Sequence, residues 1–215
     1  MCEKESSPEP KAHELLGNGG LDNKRLWAIL ACRENRVRRR EQLQQEYGLP
    51  AVLLSMNIPG TEKTAPPYEK AHIAGEQEFL HRSEAAGLRV ERKEIRRAAC
   101  GREALFLIGL GSAAISEVKN DSETIALRLK RLCIQIEKQH PLGRIFDFDV
   151  YRSGGSAVGR AELQLSQRRC FLCDEPARVC ARLGRHTAED LQSYLFSLIN
   201  RYFSQNRSSA DAGTS

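Results

Sequence analysis

Two aspartates, Asp147 and Asp149, are the residues whose type and spacing point most directly to chemistry. They lie in I-F-D-F-D-V (145–150), where the alternation of carboxylates with aromatic and β-branched residues is typical of a strand. Because strand side chains alternate between faces, both carboxylates share one face. Two adjacent carboxylates ionise together when a cation lies between them, and Mg²⁺ is commonly held by carboxylates and substrate phosphates. The pair therefore predicts a magnesium site. The alternative is a solvated edge strand, because so short a motif also occurs by chance.

Gly143 and Arg144 precede this strand directly. Glycine allows close backbone approach, and arginine presents a planar fork of donors to phosphate oxygens. Both residues favour a phosphate-binding site over a plain edge strand.

Further basic residues lie upstream. Arg33, Arg36 and Arg40 have the spacing of one stripe on a helix predicted over residues 21–47. The stripe is a phosphate-binding surface or a solvated helix face. Asn57 and Lys63 follow a buried strand predicted over residues 51–58, in a loop position that commonly carries binding groups. Lys63 either meets a phosphate or is solvated.

A second cluster contains Cys170, Cys173, Cys180 and His186. Three cysteines and a histidine form a plausible tetrahedral zinc set, in which the C-x-x-C is the strongest part. The alternative is that these are buried thiols of a small subdomain, because the second half lacks the paired spacing of a zinc ribbon.

The remaining pattern predicts a single domain over residues 21–203 with the cysteine-rich segment 168–186 inside it, and disordered tails at 1–20 and 204–215. Helices are predicted at 67–86, 122–138 and from Thr187 to Phe203, and strands at 88–95 and 104–108. After a turn at 152–156, residues 157–165 are predicted to return as a hairpin arm that carries Glu162 towards the aspartates.

Composition narrows the class of protein. Lys and Arg exceed Asp and Glu by 33 − 28 = 5 in 215 residues, a mild excess that suits an anionic substrate or acidic partner and falls short of a committed nucleic-acid binder. Seven cysteines, an odd number, favour thiols or metal ligands over a disulfide framework. Without a signal-peptide pattern or an apolar run of membrane-spanning length, we expect a cytoplasmic protein.

Four segments together resemble the apo-citrate lyase phosphoribosyl-dephospho-CoA transferase family, which loads the acyl carrier protein of citrate lyase. They are A-C-R-E-N-R-V-R-R-R-E-Q-L (31–43), N-I-P-G-T-E-K (57–63), H-P-L-G-R-I-F-D-F-D-V (140–150) and R-R-C-F-L-C-D-E-P-A-R-V-C-A-R (168–182) with His186. The chain looks like the stand-alone transferase of this family and not like the form fused to the synthase of its nucleotide substrate. On the returning strand G-R-A-E (159–162) stands where the family usually has S-R-x-D, so a third-carboxylate role passes to the longer Glu162.

The resemblance implies a nucleotidyltransferase-type reaction. A serine of the acyl carrier (gamma) subunit attacks triphosphoribosyl-dephospho-CoA, pyrophosphate leaves, and the prosthetic group stays attached by a phosphodiester. Magnesium would be held by Asp147 and Asp149, with Arg144 and Glu162 also catalytic. Substrate binding would fall to the following residues of the matching motifs: Arg33, Arg36, Asn57, Lys63, His140 and Gly143.

The predicted fold is a single α/β (α+β) domain with a mixed sheet flanked by helices, similar to nucleotidyltransferases by fold analogy. The rival function is a non-enzymatic zinc-binding module that contacts nucleic acid through its arginine-rich helix. The D-x-D strand argues against that function, because paired carboxylates repel phosphate unless a metal is bound. We therefore expect no nucleic-acid partner and no membrane.

Overall fold

The computed structural model describes residues 20–111 and 122–212, with the backbone alone for 20–22 and 207–212. Residues 1–19 of the predicted tail (1–20) and the polar stretch 112–121 lie outside the described residues. The helices and strands are, in chain order, α1 (Gly20–Tyr47), β1 (Ala51–Met56), α2 (Pro66–Ala85), β2 (Leu88–Ala98), β3 (Gly101–Leu110), α3 (Ser122–Gln139), β4 (Phe146–Tyr151), α4 (Ala177–Leu183) and α5 (Ala188–Ala212). Among the described residues, no helix has both the length and the apolar content to cross a membrane.

The four strands form one sheet in the order β2-β3-β1-β4. From β1 onwards the chain follows a β-α-β-β-α-β succession, the split-βαβ pattern. The prediction of a single α/β domain is confirmed, but the sheet is antiparallel in each of its pairs and not mixed. The physical reason is that each helical crossover skips one strand position, and an antiparallel strand fills the gap.

The sheet buries its two faces differently. One face carries the larger core, to which α2, α3 and α5 contribute and whose central rings are Phe79, Phe106 and Phe148. On the other face Leu43 of α1 packs against Leu53 and Leu107 in a smaller apolar cluster. Because β4 is half-buried at every second residue, its aspartates lie on this second, less covered face.

Two local predictions are wrong. Residues 157–165 do not form a hairpin arm: Tyr151 and Ala157 make one isolated bridge, and a 3-10 helix, Ala161–Leu163, follows. The left-handed backbone of Gln164, at φ 54°, turns the chain again, and such a conformation is incompatible with a continuing strand. The last helix also continues beyond the predicted end at Phe203, to Ala212.

Candidate active site

Strand β4 places Asp147 and Asp149 as the alternation of the sequence predicts. Asp147 is opposite Ser55 of β1 and Asp149 is opposite Leu53, so both carboxylates lie on the face that α1 partly covers. β4 is at the edge of the sheet, and side chains of α3 occupy part of its outer side: Glu137 accepts a hydrogen bond of 3.4 Å from the Phe148 amide, and Lys130 donates one of 3.0 Å to the Phe148 carbonyl.

The two carboxylates have different surroundings. The side chain of Asp147 is 38% exposed, and its Oδ1 accepts a hydrogen bond of 2.8 Å from Nη1 of Arg168. Burial raises the pKa of the Asp149 carboxyl, and the charge of Asp147 raises it further, against the opposing influence of Lys130, Arg168 and Arg36. A cation at this position would relieve the repulsion between the two carboxylates.

The structure adds Glu137, which the sequence analysis missed, to this site. Its side chain is 6% exposed, and its two carboxylate oxygens accept hydrogen bonds from Arg168 and, at 2.7 Å, from Arg160. Arg168 thus bridges Glu137 and Asp147. The sequence did contain one signal for this role. Glu137 and Lys130 are charged residues on the buried face of α3, where charged side chains are rare unless they are paired.

A cavity of about 600 Å³ adjoins this network. Its lining includes the predicted residues Asn57, Gly143 and Arg144. Five of its lining side chains are basic and two are acidic: Lys138, Arg144, Arg160, Arg168 and Arg169 against Glu137 and Asp174. Such an excess of positive charge in a concave site suits a ligand with several negative charges.

Gly143 and Arg144 are held by their neighbours. A Cβ at position 143 would lie 2.5 Å from the Glu137 carbonyl oxygen, so close approach to the end of α3 requires glycine there. Arg144 donates a hydrogen bond to the Cys170 carbonyl and lies over the Phe171 ring, with its guanidinium carbon 5.4 Å from the ring centroid.

A second group of cations comes from α1 and the loop after β1. Arg36 pairs with Glu103, and its Nε is buried without a hydrogen-bond partner among the described residues. Arg33 is exposed. Burial lowers the pKa of Lys63 and the charge of Arg33 lowers it further. Arg36 acts on Asp149 electrostatically, because its positive charge lowers the pKa of that carboxyl.

Two further arginines of α1, Arg39 and Arg40, face the sheet. Arg39 pairs with Glu94, and Arg40 lies 4.1 Å above the centroid of the Tyr151 ring and donates to the Gly155 carbonyl. Much of the stripe is therefore engaged within the protein, which removes donors that the rival function would need for nucleic acid.

Two predicted residues are not brought to the aspartates by their described contacts. His140 accepts a hydrogen bond from the Leu142 amide and packs against Phe146 and Tyr202, on the side of the larger core; burial lowers its pKa. Glu162 pairs with Arg152 and accepts a hydrogen bond of 2.6 Å from the Gly159 amide.

The cysteine segment does converge. Ligand atoms of Cys170, Cys173, Cys180 and His186 all lie within 4.8 Å of one another. The segment lies beside the cavity, since Cys170 and Cys173 are also among its lining residues.

Comparison with known proteins gives a consistent result. A family model described as apo-citrate lyase phosphoribosyl-dephospho-CoA transferase matches residues 24–202. A Vibrio cholerae serotype O1 (strain M66-2) protein named "Probable apo-citrate lyase phosphoribosyl-dephospho-CoA transferase" is 30% identical over 174 residues, which cover 81% of this chain and 90% of that protein. A Streptococcus pyogenes serotype M18 protein of the same name is 28% identical over 86% of this chain and 90% of its own length. The protein CitXG of Haemophilus influenzae is 26% identical over 82% of this chain and 35% of its own length.

Proposed function

The chain belongs to the apo-citrate lyase phosphoribosyl-dephospho-CoA transferase family, and from that premise we propose the reaction that it catalyses. The oxygen of a serine hydroxyl on the acyl carrier subunit of citrate lyase attacks the phosphorus next to the ribose of triphosphoribosyl-dephospho-CoA. A phosphodiester bond forms, the bond to the outer two phosphates breaks, pyrophosphate departs, and the serine proton passes to solvent or a base.

The donor set at β4 fits magnesium. Asp147 and Asp149 offer hard carboxylate oxygens on one face of one strand, which is the ligand chemistry that Mg²⁺ prefers. Burial and the charge of Asp147 raise the pKa of Asp149, so a cation held there would favour the ionised form of both carboxylates. When bound there, magnesium supplies positive charge that neutralises the oxygens of the triphosphate.

The arginines around the cavity bind and orient the substrate phosphates in this proposal. Arg168 has one Nη on Asp147 and the other on Glu137, so its guanidinium is fixed before the substrate arrives. Arg144, held at the Cys170 carbonyl, presents its remaining donors to the cavity. Pre-oriented donors stabilise charge that develops in the transition state without reorganising at that moment.

The second group of cations serves the same anionic substrate. Arg36 has a buried Nε free of protein hydrogen-bond partners within the described chain, and Lys63 and Arg33 lie close enough to influence each other. Asn57 and Gly143 line the cavity and leave room for the substrate. We assign no part in the reaction to His140 or Glu162, because their described contacts lie elsewhere.

The observation that carries this proposal is the pairing of the D-x-D carboxylates with a basic cavity through Arg168. The experiment is incubation of the protein with apo acyl carrier subunit, triphosphoribosyl-dephospho-CoA and Mg²⁺, followed by intact-mass measurement of the carrier and assay of free pyrophosphate. We expect the carrier to gain one phosphoribosyl-dephospho-CoA group, with one pyrophosphate released per group attached. An unmodified carrier, with folded enzyme and a carrier that a known family transferase can load, would contradict the proposal.

A further inference from the structure

The strongest feature that the reaction does not use is the cluster of three thiols and one imidazole beside the cavity. Cys173 Sγ is 3.3 Å from Cys180 Sγ and 3.3 Å from Nε2 of His186. The three cysteines are free of disulfide bonds, and Cys170 and Cys180 are buried. Four soft or borderline donors thus point at one common centre.

The backbone builds this cluster from three local elements. Cys170 and Cys173 are on a tight loop closed by a bridge between Arg169 and Pro176 and by the bond from the Cys170 amide to the Glu175 carbonyl, 2.7 Å. Cys180 is on α4, a helix of 7 residues, and His186 lies just before α5. Ligands of one metal are commonly supplied in this way, by a C-x-x-C loop and a following helix.

The distances suit zinc. In a tetrahedral site with Zn–S bonds of about 2.3 Å, neighbouring sulfurs are about 3.8 Å apart. The ligand atoms are 3.3 Å apart for Cys173 and Cys180 and at most 4.8 Å apart for every pair, a range that includes this value, so small rotations of the side chains would complete the site. Three thiolates and one imidazole with no position left for water form a closed, structural coordination sphere.

The segment that carries the cluster also supplies a wall of the cavity. Arg168, the first residue of this segment, donates hydrogen bonds to Asp147 and Glu137. The Cys170 carbonyl accepts the hydrogen bond from Arg144. With so short a helix and so few buried apolar side chains in residues 168–186, packing alone is a weak support for this wall.

We propose that Cys170, Cys173, Cys180 and His186 bind one structural Zn²⁺, and that this ion fixes the segment from which Arg168 and the Cys170 carbonyl enter the active site. The zinc is not a reactant, and none of its four ligands is a proposed magnesium ligand. The role of the ion in positioning active-site groups rests on the proposed function, whereas the binding of the ion does not.

Metal content is the primary test. Protein purified without a polyhistidine tag is analysed by mass spectrometry of its metals, and we expect about one zinc per chain, falling below about 0.1 in Cys180→Ser. Cys32→Ser is the matched control, because Cys32 is half-buried on α1 and lies outside the cluster; it should keep its zinc. Zinc-free wild-type protein that folds and does not take up added Zn²⁺ would overturn the proposal, and so would full zinc content in Cys180→Ser.

Cobalt substitution keeps the proposal testable if Cys180→Ser does not fold. Wild-type protein refolded with Co²⁺ in place of zinc should show the intense visible absorption of tetrahedral cobalt and the thiolate-to-metal charge-transfer band. Three thiols per chain should become reactive to a mercurial reagent as the metal is released. A weak octahedral spectrum, or metal release without thiol modification, would overturn the assignment.

The link to the active site has its own readout. Chelation of zinc from wild-type protein should lower the midpoint of thermal unfolding and reduce transfer, and Zn²⁺ but not Mg²⁺ should restore both. A protein that contains zinc but does not transfer the prosthetic group would support the metal site and contradict the proposed function. Full transfer by a zinc-depleted protein would refute the positioning role of the ion.

Discussion

Replacement of Glu137 by Gln tests the network that connects α3 to the D-x-D strand. Glu137 is 6% exposed and holds Arg168 and Arg160, so the neutral, isosteric amide removes the charge from two ion pairs at once. A hydrogen bond to a charged group contributes about 1.5–3 kcal/mol. Because the two arginine side chains are 25% and 30% exposed and can be rehydrated, we expect a total loss of stability of about 3 kcal/mol, at the low end for a broken buried ion pair.

The assay combines thermal unfolding with transfer. For a domain of this size a loss of about 3 kcal/mol lowers Tm by roughly 6–12 °C. Arg168 also loses one of its two anchors, so kcat/KM for transfer should fall by about tenfold or more, as when a positioning group is displaced.

Glu123→Gln is the matched control for this variant. Glu123 is on the same helix and accepts two hydrogen bonds from Arg152, at 2.6 and 2.9 Å, but its side chain is 52% exposed. An exposed pair contributes less than about 1 kcal/mol, and transfer should be unchanged. Equal effects of the two substitutions, or normal transfer by Glu137→Gln, would refute the bridging role of Arg168.

Three further predictions concern other parts of the molecule. Gly143→Ala would place a Cβ 2.5 Å from a backbone carbonyl and should lower the free energy of unfolding by about 1–3 kcal/mol. Gly154→Ala is the control, because the space around Gly154 is open, and it should leave this free energy unchanged. Equal losses in the two variants would contradict the packing argument. Burial lowers the pKa of His72 to about 4, so the unfolded chain binds the proton first and stability falls by about 3 kcal/mol as pH drops from 6.5 to 4. In urea titrations at several pH values, His72→Gln should therefore flatten the dependence of stability on pH. An unchanged pH dependence in this variant would refute the effect of His72. Arg36→Lys should raise the KM for the nucleotide about 30-fold, with kcat nearly unchanged; an effect on the carrier's KM instead would place Arg36 at the carrier.

Much of the fold could be predicted because local patterns decide it. The apolar stripe of α3 and the turn residues around α2 predict these helices to within a residue or two. The alternation in β4 correctly places both aspartates on one face. The direction of neighbouring strands could not be predicted in the same way. A helical crossover makes the two strands that it joins parallel, but tertiary packing decides whether an antiparallel strand lies between them.

The site residues also differ in whether local sequence could predict them. Asn57, Gly143 and Arg144 could be proposed from residue types near strand ends, and they line the basic cavity. The charge of Glu137 on the buried face of α3 was a signal, but its role could not be predicted, since its partners are arginines 23 and 31 residues away along the chain. The prediction for residues 157–165 was wrong because the turn at 152–156 suggested a hairpin, whereas Gln164 adopts a left-handed backbone that no residue type in this segment signals.

The most direct test of the account is the transfer rate of Asp149→Asn with saturating Mg²⁺, carrier and nucleotide, measured by intact mass. Asn keeps the shape but removes a ligand charge, so we expect the rate to fall by about a hundredfold or more. Because burial and Asp147 raise the pKa of Asp149, ionisation of this carboxyl is less favourable in the folded, metal-free chain than in the unfolded chain, and the neutral Asn should not lower Tm. A folded Asp149→Asn protein that transfers at the wild-type rate would contradict the assignment of the D-x-D strand as the catalytic centre.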